Sequence, residues 1–350
     1  MTQLPPLGPD TFVTVAIPCL NEIHHIEKCI EDVIHQDYPE DRVEVIVADG
    51  GSGDGTRQRL EELSRKFPRM RWVDNPQKLQ SAGMNEIIRL ARGDVIVRLD
   101  AHCEYAPDYI RQSVDTLRAT GAWNVGGSQR AKAQTQFQKA LCAALRSRLG
   151  VGGAAYRQPD AEGFVDTVFC GSLRREVFEI AGTYDPAAIT NEDAELNQRI
   201  LECGGTIYLS PKIVSHYFPR SNLRSLARQY FRYGQGRART LLKRRRFPRI
   251  SPAIPFLMTC TGAVLLATRP VAPSTWFAFG TYATICGIES LRVAGYLGFQ
   301  TFPTVWAIFP TIHISHGVGF AAGLLKYGCN PDWSAVPEYL PKHVSIASLP

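Results

Sequence analysis

The first hundred residues alternate short apolar runs with segments of helical periodicity, and this alternation limits the possible folds more than any other feature. Apolar runs predict four strands, at 12–17, 43–48, 71–73 and 94–99. Apolar residues at helical spacing predict the helices between them, at 23–36, from a cap at Asp54 or Thr56 through Phe67, and at 80–91. Strands and helices that alternate in this way predict an α/β fold with a mostly parallel sheet covered on both faces.

The fourth apolar run ends in a turn that carries an acidic residue and a histidine, Asp100 and His102. Because the strand is apolar on both faces, these residues emerge at its carboxyl end, where open parallel sheets bind ligands. A carboxylate and an imidazole two residues apart point to the same side of an extended chain and suit a divalent cation that carries phosphate oxygens. The alternative is that Asp100 only caps the next turn.

Two further loops are expected at the same edge of the sheet. The first follows the first strand, which is predicted to stop at Pro18, and carries Asn21 and Glu22. The second begins at Asp49 and continues as Gly-Gly-Ser-Gly-Asp-Gly-Thr, in which the glycines at 50, 51, 53 and 55 let backbone amides approach a ligand closely. Gly51 and Ser52 are candidate binding residues of this loop. It matches neither the dinucleotide-binding glycine motif nor the Lys-containing phosphate loop, so a simple turn is the alternative.

Charge is concentrated in one band of the 350-residue chain, whose net charge is +6. No acidic residue occurs between Cys203 and Ile288, and the segment 220–249 contains eleven Lys or Arg residues. Such a band favours phosphate partners, either nucleic acid or an anionic membrane. Nine cysteines without a Cys-x-x-Cys pair argue against a disulfide framework or a structural zinc site, and the N-terminus has no signal-peptide pattern.

The last third favours the membrane over nucleic acid. Ser221 can cap an amphipathic helix with arginines on one face, a pattern typical of a membrane interface. Three uncharged runs of bilayer length follow, at 250–268, 270–288 and 293–325, although their prolines leave re-entrant segments open. The preceding basic cluster predicts that the N-terminal domain lies on the cytoplasmic side of the plasma membrane.

Five motifs in order resemble those of family 2 glycosyltransferases, in particular the bacterial membrane enzymes of the succinoglycan-biosynthesis type. They are Ala16-Ile-Pro-Cys-Leu-Asn-Glu22, Asp49 with its glycine-rich loop, the Asp100 and His102 turn, Gly171-Ser172 and Asn191-Glu-Asp193. The resemblance covers about residues 12–240. It implies a GT-A fold, a nucleotide-diphosphate sugar donor, a divalent cation and inversion at the anomeric carbon.

The resemblance also implies roles for individual residues. Pro18, Asn21 and Glu22 would surround the nucleoside, and Asp49 would accept a hydrogen bond from the base, most simply uracil. Asp100 would bind the metal or the ribose, and His102 the metal. Because imidazole is neutral and prefers Mn²⁺ to Mg²⁺, we expect Mn²⁺ to serve at least as well.

Further roles follow from the middle of the chain. The resemblance places Gly171 and Ser172 at the acceptor and donor-sugar pocket, although a turn that enters a helix is the alternative. It makes Asp193, beside Glu192, the general base. Taken alone, both acids would lie in the first turn of a helix, where the helix dipole lowers their pKa and where acidic residues are common without any function. His216 is a third candidate metal or diphosphate ligand, or an ordinary hydrogen-bonded histidine.

Gln229-Tyr-Phe-Arg-Tyr233 resembles the Gln-x-x-Arg-Trp motif of processive family members, which makes Gln229, Arg232 and Tyr233 candidate site residues. Tyr in place of Trp and the few predicted spans argue against a processive synthase. The segment 150–163 is predicted to be a mobile loop over the site. The predicted domains are a catalytic domain at 1–219, a basic interfacial region at 220–249, membrane helices at 250–326 and a tail at 327–350.

These features together predict a glycosyltransferase that moves one sugar, expected to be glucose, from a UDP-sugar to a polyprenyl-linked saccharide in exopolysaccharide synthesis. Transfer directly to polyprenyl phosphate is one alternative. A non-catalytic membrane anchor or transporter subunit is another, although Asp100 and Asp193 are both present. A nucleic-acid-binding module would leave the three uncharged runs unexplained.

Overall fold

The computed structural model describes residues 4–151, 155–186, 188, 190–245 and 253–331, which form two compact units. Of the described residues, the first unit contains those up to 130 and those in 158–217, and the second contains those in 131–157 and from 218 to 331. The sequence predicts a catalytic domain that is continuous to residue 219, whereas the structure groups 131–157 with the C-terminal helices.

The described strands are β1 Val13–Cys19, β2 Val43–Asp49, β3 Met70–Asp74, β4 Val95–Arg98, β5 Cys103–Tyr105, β6 Asn124–Gly127, β7 Gln129–Ala131, β8 Gly163–Phe164, β9 Phe169–Arg174, β10 Ile207–Leu209 and β11 Ser215–Tyr217. The described α-helices are α1 Ile26–Ile34, α2 Thr56–Lys66, α3 Gln80–Leu90, α4 Tyr109–Thr120, α5 Gln136–Arg146, α6 Arg148–Val151, α7 Glu176–Ile180, α8 Glu192–Glu202, α9 Leu223–Arg244, α10 Ile254–Thr268, α11 Pro273–Leu297 and α12 Phe302–Cys329.

The first unit is built on an eight-stranded sheet of order β3-β2-β1-β4-β9-β6-β10-β8. Strands β3, β2, β1 and β4 are parallel, which confirms the α/β fold. Strand β9 is antiparallel to both of its neighbours, and β8 is antiparallel to β10. The regular rhythm of the first hundred residues does not extend to this half of the sheet, so the antiparallel strands are not predicted.

Two predicted boundaries of the first unit differ from the structure. Strand β1 continues past Pro18, which pairs with Ala48 of β2 after the pairing of β1 with β4 has ended. A proline without an N–H is tolerated where one side of the strand has no partner to bind. Helix α1 begins at Ile26 instead of Ile23, because the Glu22 carbonyl accepts from the amides of His25 and Ile26 and forms a turn first.

The core of the first unit lies under the parallel strands. Val13, Val15 and Ile17 of β1 are fully buried, as are Val45 and Val47 of β2. They pack with Ile26 and Ile30 of α1, Leu60 of α2, and Ile110 and Val114 of α4 in one apolar cluster. A second, smaller sheet of order β5-β11-β7 follows the turn after β4. The packed strands fix the positions at which the loops leave the sheet.

The second unit is helical, and α9 packs closely against α12. A methyl group at Gly319 would lie 2.0 Å from the carbonyl oxygen of Phe231, and one at Gly234 would lie 2.1 Å from that of His316. Glycines spaced in this way let two helix backbones approach each other, as they do in membrane helix pairs. The cap of α9 is Asn222, whose side chain accepts from the Ser225 amide at 2.9 Å, and not the predicted Ser221.

The described residues contain one helical stretch that is long and apolar enough to cross a membrane, Phe299–Cys329, judged by length and composition. Helix α10 is apolar but has 15 residues, and α11 carries Glu289 and Arg292 near its end. The sequence predicts about three such segments. The segment 150–163 is not a single loop, because its described residues include the end of α6, a 3₁₀ turn and the start of β8.

Candidate active site

Three loops meet where the parallel strands end. Because β2, β1 and β4 are adjacent and parallel, the loops that follow Asp49, Cys19 and Arg98 leave the same edge of the sheet. This is the arrangement expected from the sequence. It is also the edge at which open α/β sheets bind their ligands.

The first two loops are fastened to each other. The Asn21 amide donates to Ser52 Oγ at 2.7 Å, and the Gly53 amide donates to Asn21 Oδ1 at 3.0 Å. The Glu22 amide donates to Thr56 Oγ1 at 2.9 Å, which ties this loop to the start of α2. Asn21 has a φ of 58°, a left-handed conformation that Asn tolerates better than most residues. Asn21, Glu22 and Ser52 therefore belong to one ordered surface.

Asp49 organises the glycine-rich loop from inside. Its carboxylate is completely buried and accepts from the amides of Gly51 at 3.0 Å and Ser52 at 3.1 Å, and from Ser52 Oγ at 2.5 Å. Gly51 has a φ of 79°, which favours glycine. Binding of a base by Asp49 stays a prediction, because in this structure its oxygens accept bonds from its own loop. Pro18 is buried in β1.

The turn from Asp100 to His102 is held by a hydrogen bond to a tyrosine. The Asp100 amide donates to the hydroxyl of Tyr105 at 2.6 Å, and that ring packs edge-on against Tyr109. Gln80 of α3 donates to Asp100 Oδ1 at 2.9 Å. His102 Nδ1 lies 3.2 Å from Glu22 Oε1, so the first and third loops touch through side chains that the sequence predicts at the site.

Arg98, the last residue of β4, connects this turn to α8. Its side chain is only 4% exposed, yet its guanidinium contacts three carboxylates. One nitrogen donates to Asp193, and the other donates to Glu192 Oε1 at 3.0 Å and lies 3.4 Å from Asp100 Oδ1. The candidate base and the candidate metal or ribose ligand are thus held by one cation.

The surroundings of Asp193 raise its pKa, whereas the helix dipole alone would lower it. Burial raises the pKa of Asp193 to about 6, against the opposing effect of the Arg98 guanidinium, while Glu192 and Asp100 add to the rise. The side chain keeps about a quarter of its surface exposed, 26%. A carboxylate with a pKa near neutrality is suited to accept a proton at physiological pH.

Sequence reasoning missed Arg98 and three polar residues of α3, namely Gln80, Ser81 and Asn85. Asn85 exchanges hydrogen bonds of 2.8 and 2.9 Å with the backbone of Tyr184, and Ser81 Oγ lies 3.2 Å from the carbonyls of Pro186 and Ala188. These contacts position the segment that leads into α8. A signal for Arg98 does exist, because a charge inside an apolar strand must have buried partners. The identity of those partners is not visible in the sequence.

Gly171 and Ser172 lie in the buried middle of β9. A methyl group at Gly171 would lie 2.5 Å from Asn124 Oδ1, which explains why glycine is needed there. Asn124 in turn donates to Asn197 of α8 at 2.8 Å. Ser172 is completely buried, so a direct role of these two residues in binding sugar stays a prediction.

The three candidate metal ligands do not form one group. No cluster of three or more His, Cys, Asp or Glu side chains that could hold a metal ion occurs within the described ranges. His216 lies on β11, where its backbone pairs with Glu104 of β5. Asp100 and His102 supply one oxygen and one nitrogen donor, so a divalent cation bound at this turn would need its remaining ligands from elsewhere, such as a diphosphate.

Gln229, Arg232 and Tyr233 belong to α9 in the second unit. Gln229 Nε2 donates to the hydroxyl of Tyr233 at 3.1 Å, and the ring of Tyr233 packs edge-on against Tyr230. The four-residue spacing places Gln229 and Tyr233 on the same helix face. Their participation in the site stays a prediction.

Comparisons with known proteins agree with this geometry. The model of the family described as glycosyl transferase family 2 matches residues 14–180. The succinoglycan biosynthesis protein ExoA of Rhizobium meliloti is 37% identical over 328 residues, which are 91% of this chain and 96% of that protein. A dolichyl N-acetyl-alpha-D-glucosaminyl phosphate 3-beta-D-2,3-diacetamido-2,3-dideoxy-beta-D-glucuronosyltransferase of Methanococcus voltae is 28% identical over 66% of this chain and 74% of its own length.

A solved structure shows the same fold. It is the mannosyltransferase PcManGT of Pyrobaculum calidifontis in complex with GDP-Man and Mn²⁺, with a TM-score of 0.61, 19% identity, and coverage of 90% of this chain and 88% of that one. The fold and the ordered motifs define a glycosyltransferase of the GT-A type. The chain belongs to glycosyltransferase family 2, and it is similar over most of its length to a protein of succinoglycan biosynthesis.

Proposed function

We propose that this glycosyltransferase moves one sugar, glucose, from a UDP-sugar to a polyprenyl-linked saccharide, with inversion at the anomeric carbon. The observation that carries the proposal is the junction at Arg98, which holds Asp193 and Asp100 at the carboxyl end of β4. A base and a donor-binding carboxylate at one strand end are what a single displacement requires.

Asp193 is the general base of the proposed mechanism. It accepts the proton of the acceptor hydroxyl while that oxygen attacks the anomeric carbon from the face opposite the departing diphosphate. One displacement of this kind inverts the configuration, so an α-linked donor gives a β-linkage, and no covalent intermediate is required. Glu192 shares the Arg98 guanidinium and stays buried beside the base.

Asn21, Glu22 and the ordered glycine-rich loop are proposed to bind the nucleoside, and Asp100 and His102 to hold a divalent cation, Mn²⁺ or Mg²⁺. When bound, the cation would offset the charge of the departing diphosphate. The Mn²⁺ and GDP-Man in the complex of the mannosyltransferase support a metal and a nucleotide sugar in general terms. Uridine as the base is our proposal from the motif resemblance.

A lipid-linked acceptor is supported by the relatives and by the second unit. The name of the Methanococcus voltae relative specifies a dolichyl-linked sugar phosphate as its acceptor. The described part of the second unit contains one helix that could cross a membrane and exposes large apolar side chains such as Trp276 and Phe277. We propose that this unit lies in the plasma membrane, with the catalytic unit on the cytoplasmic side.

The test is release of free nucleotide by detergent-solubilised full-length protein. A panel of UDP- and GDP-sugars is supplied with Mn²⁺, with and without a bacterial lipid extract. We expect UDP release that requires one UDP-sugar and the lipid together. Release from a GDP-sugar would contradict the proposed nucleotide, and equal release without lipid would contradict the proposed acceptor.

A further inference from the structure

Arg98 stands out among the buried charges of the first unit because it binds more carboxylates than one cation needs. Burial of a guanidinium is costly unless it is paired and hydrogen-bonded. Arg174 of β9, with a side chain that is 3% exposed, satisfies this requirement with Glu176 and the Pro5 carbonyl. Arg98 contacts Asp193, Glu192 and Asp100. Arg98 therefore has two more carboxylate partners than Arg174, which is equally buried.

The partners of Arg98 come from distant parts of the chain. Asp100 follows two residues later in the turn after β4, whereas Glu192 and Asp193 begin α8 more than ninety residues further on. The first turn of α8 is thus held toward β4 through the Arg98 ion pairs.

The geometry also explains why the residue is arginine. One terminal nitrogen binds Asp193 while the other binds Glu192 at 3.0 Å, so the planar fork sets the separation of the two carboxylates. The ammonium of a lysine would keep the charge but could not reproduce this fixed spacing. Geometry, and not charge alone, is the property that the contacts require.

We propose that Arg98 is a positioning residue for the transfer reaction. Its guanidinium fixes the position of the Asp193 carboxylate relative to that of Asp100, so that the base and the donor-binding site act on the same anomeric carbon. This inference rests on the proposed role of Asp193. It predicts that loss of the fork lowers kcat much more than it changes nucleotide binding.

The experiment compares Arg98→Lys with Arg174→Lys, which makes the same substitution at an equally buried position of the same sheet. UDP release is measured with the sugar nucleotide that the wild-type protein uses, and binding of UDP alone is measured by calorimetry. We expect Arg98→Lys to lower kcat about 100-fold, the size of effect that a small misplacement of catalytic groups produces, with KM for the donor little changed. Arg174→Lys should lower the melting temperature but leave kcat near that of the wild type.

A second measurement does not depend on turnover. Water-soluble carbodiimide labels carboxylates, and mass spectrometry of the peptide that contains Glu192 and Asp193 reports their protection. We expect faster labelling of this peptide in Arg98→Lys than in the wild type or Arg174→Lys. Equal protection, or a kcat for Arg98→Lys equal to that of Arg174→Lys, would overturn the inference.

Three other outcomes are decisive. If Arg98→Lys does not fold while Arg174→Lys does, Arg98 is a structural residue and the inference is wrong. If instead Asp193→Asn keeps full activity, the proposed base is wrong and the positioning role falls with it. An inactive Asp193→Asn together with a fully active Arg98→Lys would remove the positioning role alone.

Discussion

The two units of this protein differ in their buried ion pairs and in their exposed apolar surface. The first unit buries charged side chains, of which Arg98 with its three carboxylates is the clearest case. Among the described residues, most of the exposed large apolar side chains lie in α10, α11 and α12 of the second unit. Trp276 and Phe277, for example, are 62% and 77% exposed.

This contrast separates two functions. A buried ionic cluster costs solvation energy and is retained where specific geometry is needed, as at a catalytic centre. An extended apolar surface is costly in water but stable in lipid. We therefore propose that the first unit holds the reaction site and that the second unit faces a membrane. Substitutions in each unit should affect one function and spare the other.

The largest effect is expected from Asp193→Asn, which keeps the shape of the side chain but removes the base. The rate of transfer should fall by about 10²–10⁴-fold, while UDP binding changes little. Stopped assays of UDP release and calorimetry measure the two quantities. Glu195→Gln is the matched control in the same helix, because Glu195 pairs with Arg199 instead of Arg98. A transfer rate for Asp193→Asn equal to that of the control would contradict the assignment.

The next effect is expected from Asp100→Ala, which removes a proposed donor and metal ligand and also one partner of Arg98. The affinity for UDP in the presence of Mn²⁺ should fall by about 10–100-fold. Affinity without Mn²⁺ should change much less. Calorimetry with and without the metal measures this difference, and an equal loss in both conditions would exclude a metal-linked role for Asp100.

The second unit is tested by replacing Trp276 and Phe277 together with serine. Each ring contributes about 1.5–3 kcal/mol when it is buried in an apolar phase, so binding to vesicles of anionic phospholipid should weaken at least about tenfold. The kcat of the detergent-solubilised variant should match that of the wild type. Phe164→Ser is the control, since Phe164 is 65% exposed on the first unit. If the control weakens vesicle binding as much, the division between the units is wrong.

The smallest effect concerns pH. Because burial raises the pKa of Asp193 to about 6, the base is deprotonated at pH 7 and becomes protonated as the pH falls through 6. The kcat should therefore be nearly constant above pH 7 and about tenfold lower at pH 5 than at its plateau. A rate profile of the wild-type protein between pH 5 and pH 8 measures this. A kcat that rises as the pH falls would contradict a basic role for the carboxylate.

The sequence predicts the first half of the fold well because local signals repeat there. Apolar runs and helical spacing locate β1 to β4 and α1 to α3 within a few residues, and the parallel order brings the three loops to one edge. Strand β9 lies between β4 and β6 in the opposite direction. Its placement depends on pairing between residues far apart in the chain, for which a single sequence carries no local signal.

The candidate site is also predictable only in part from the sequence. The motifs identify Asp100 and Asp193, but the cation that joins them is an arginine within an apolar strand, and its partners appear only when α8 is in place. The acidity of Asp193 shows the same limit. Its position in a helix suggests a lowered pKa, whereas the burial that raises the pKa is a property of the folded structure.

Hydropathy has a similar limit in the second unit. Uncharged runs predict about three membrane segments, yet α10 has 15 residues and only Phe299–Cys329 meets the criteria for a span within the described residues. An uncharged run records composition, whereas a span also needs a continuous helix of sufficient length. The contact of Gly319 with the Phe231 backbone likewise depends on the packing of α9 against α12.

The mass and anomeric configuration of the lipid product give the most direct test of the proposed transfer of one sugar to a polyprenyl-linked saccharide. Detergent-solubilised protein is incubated with its sugar nucleotide and a bacterial lipid extract, and the lipids are analysed by mass spectrometry and NMR. The proposed single displacement predicts a polyprenyl-linked saccharide that is heavier by one hexose, joined through a β-linkage when the donor is α-linked. A sugar attached directly to polyprenyl phosphate, a polymer of many added units, or an α-linkage would contradict it.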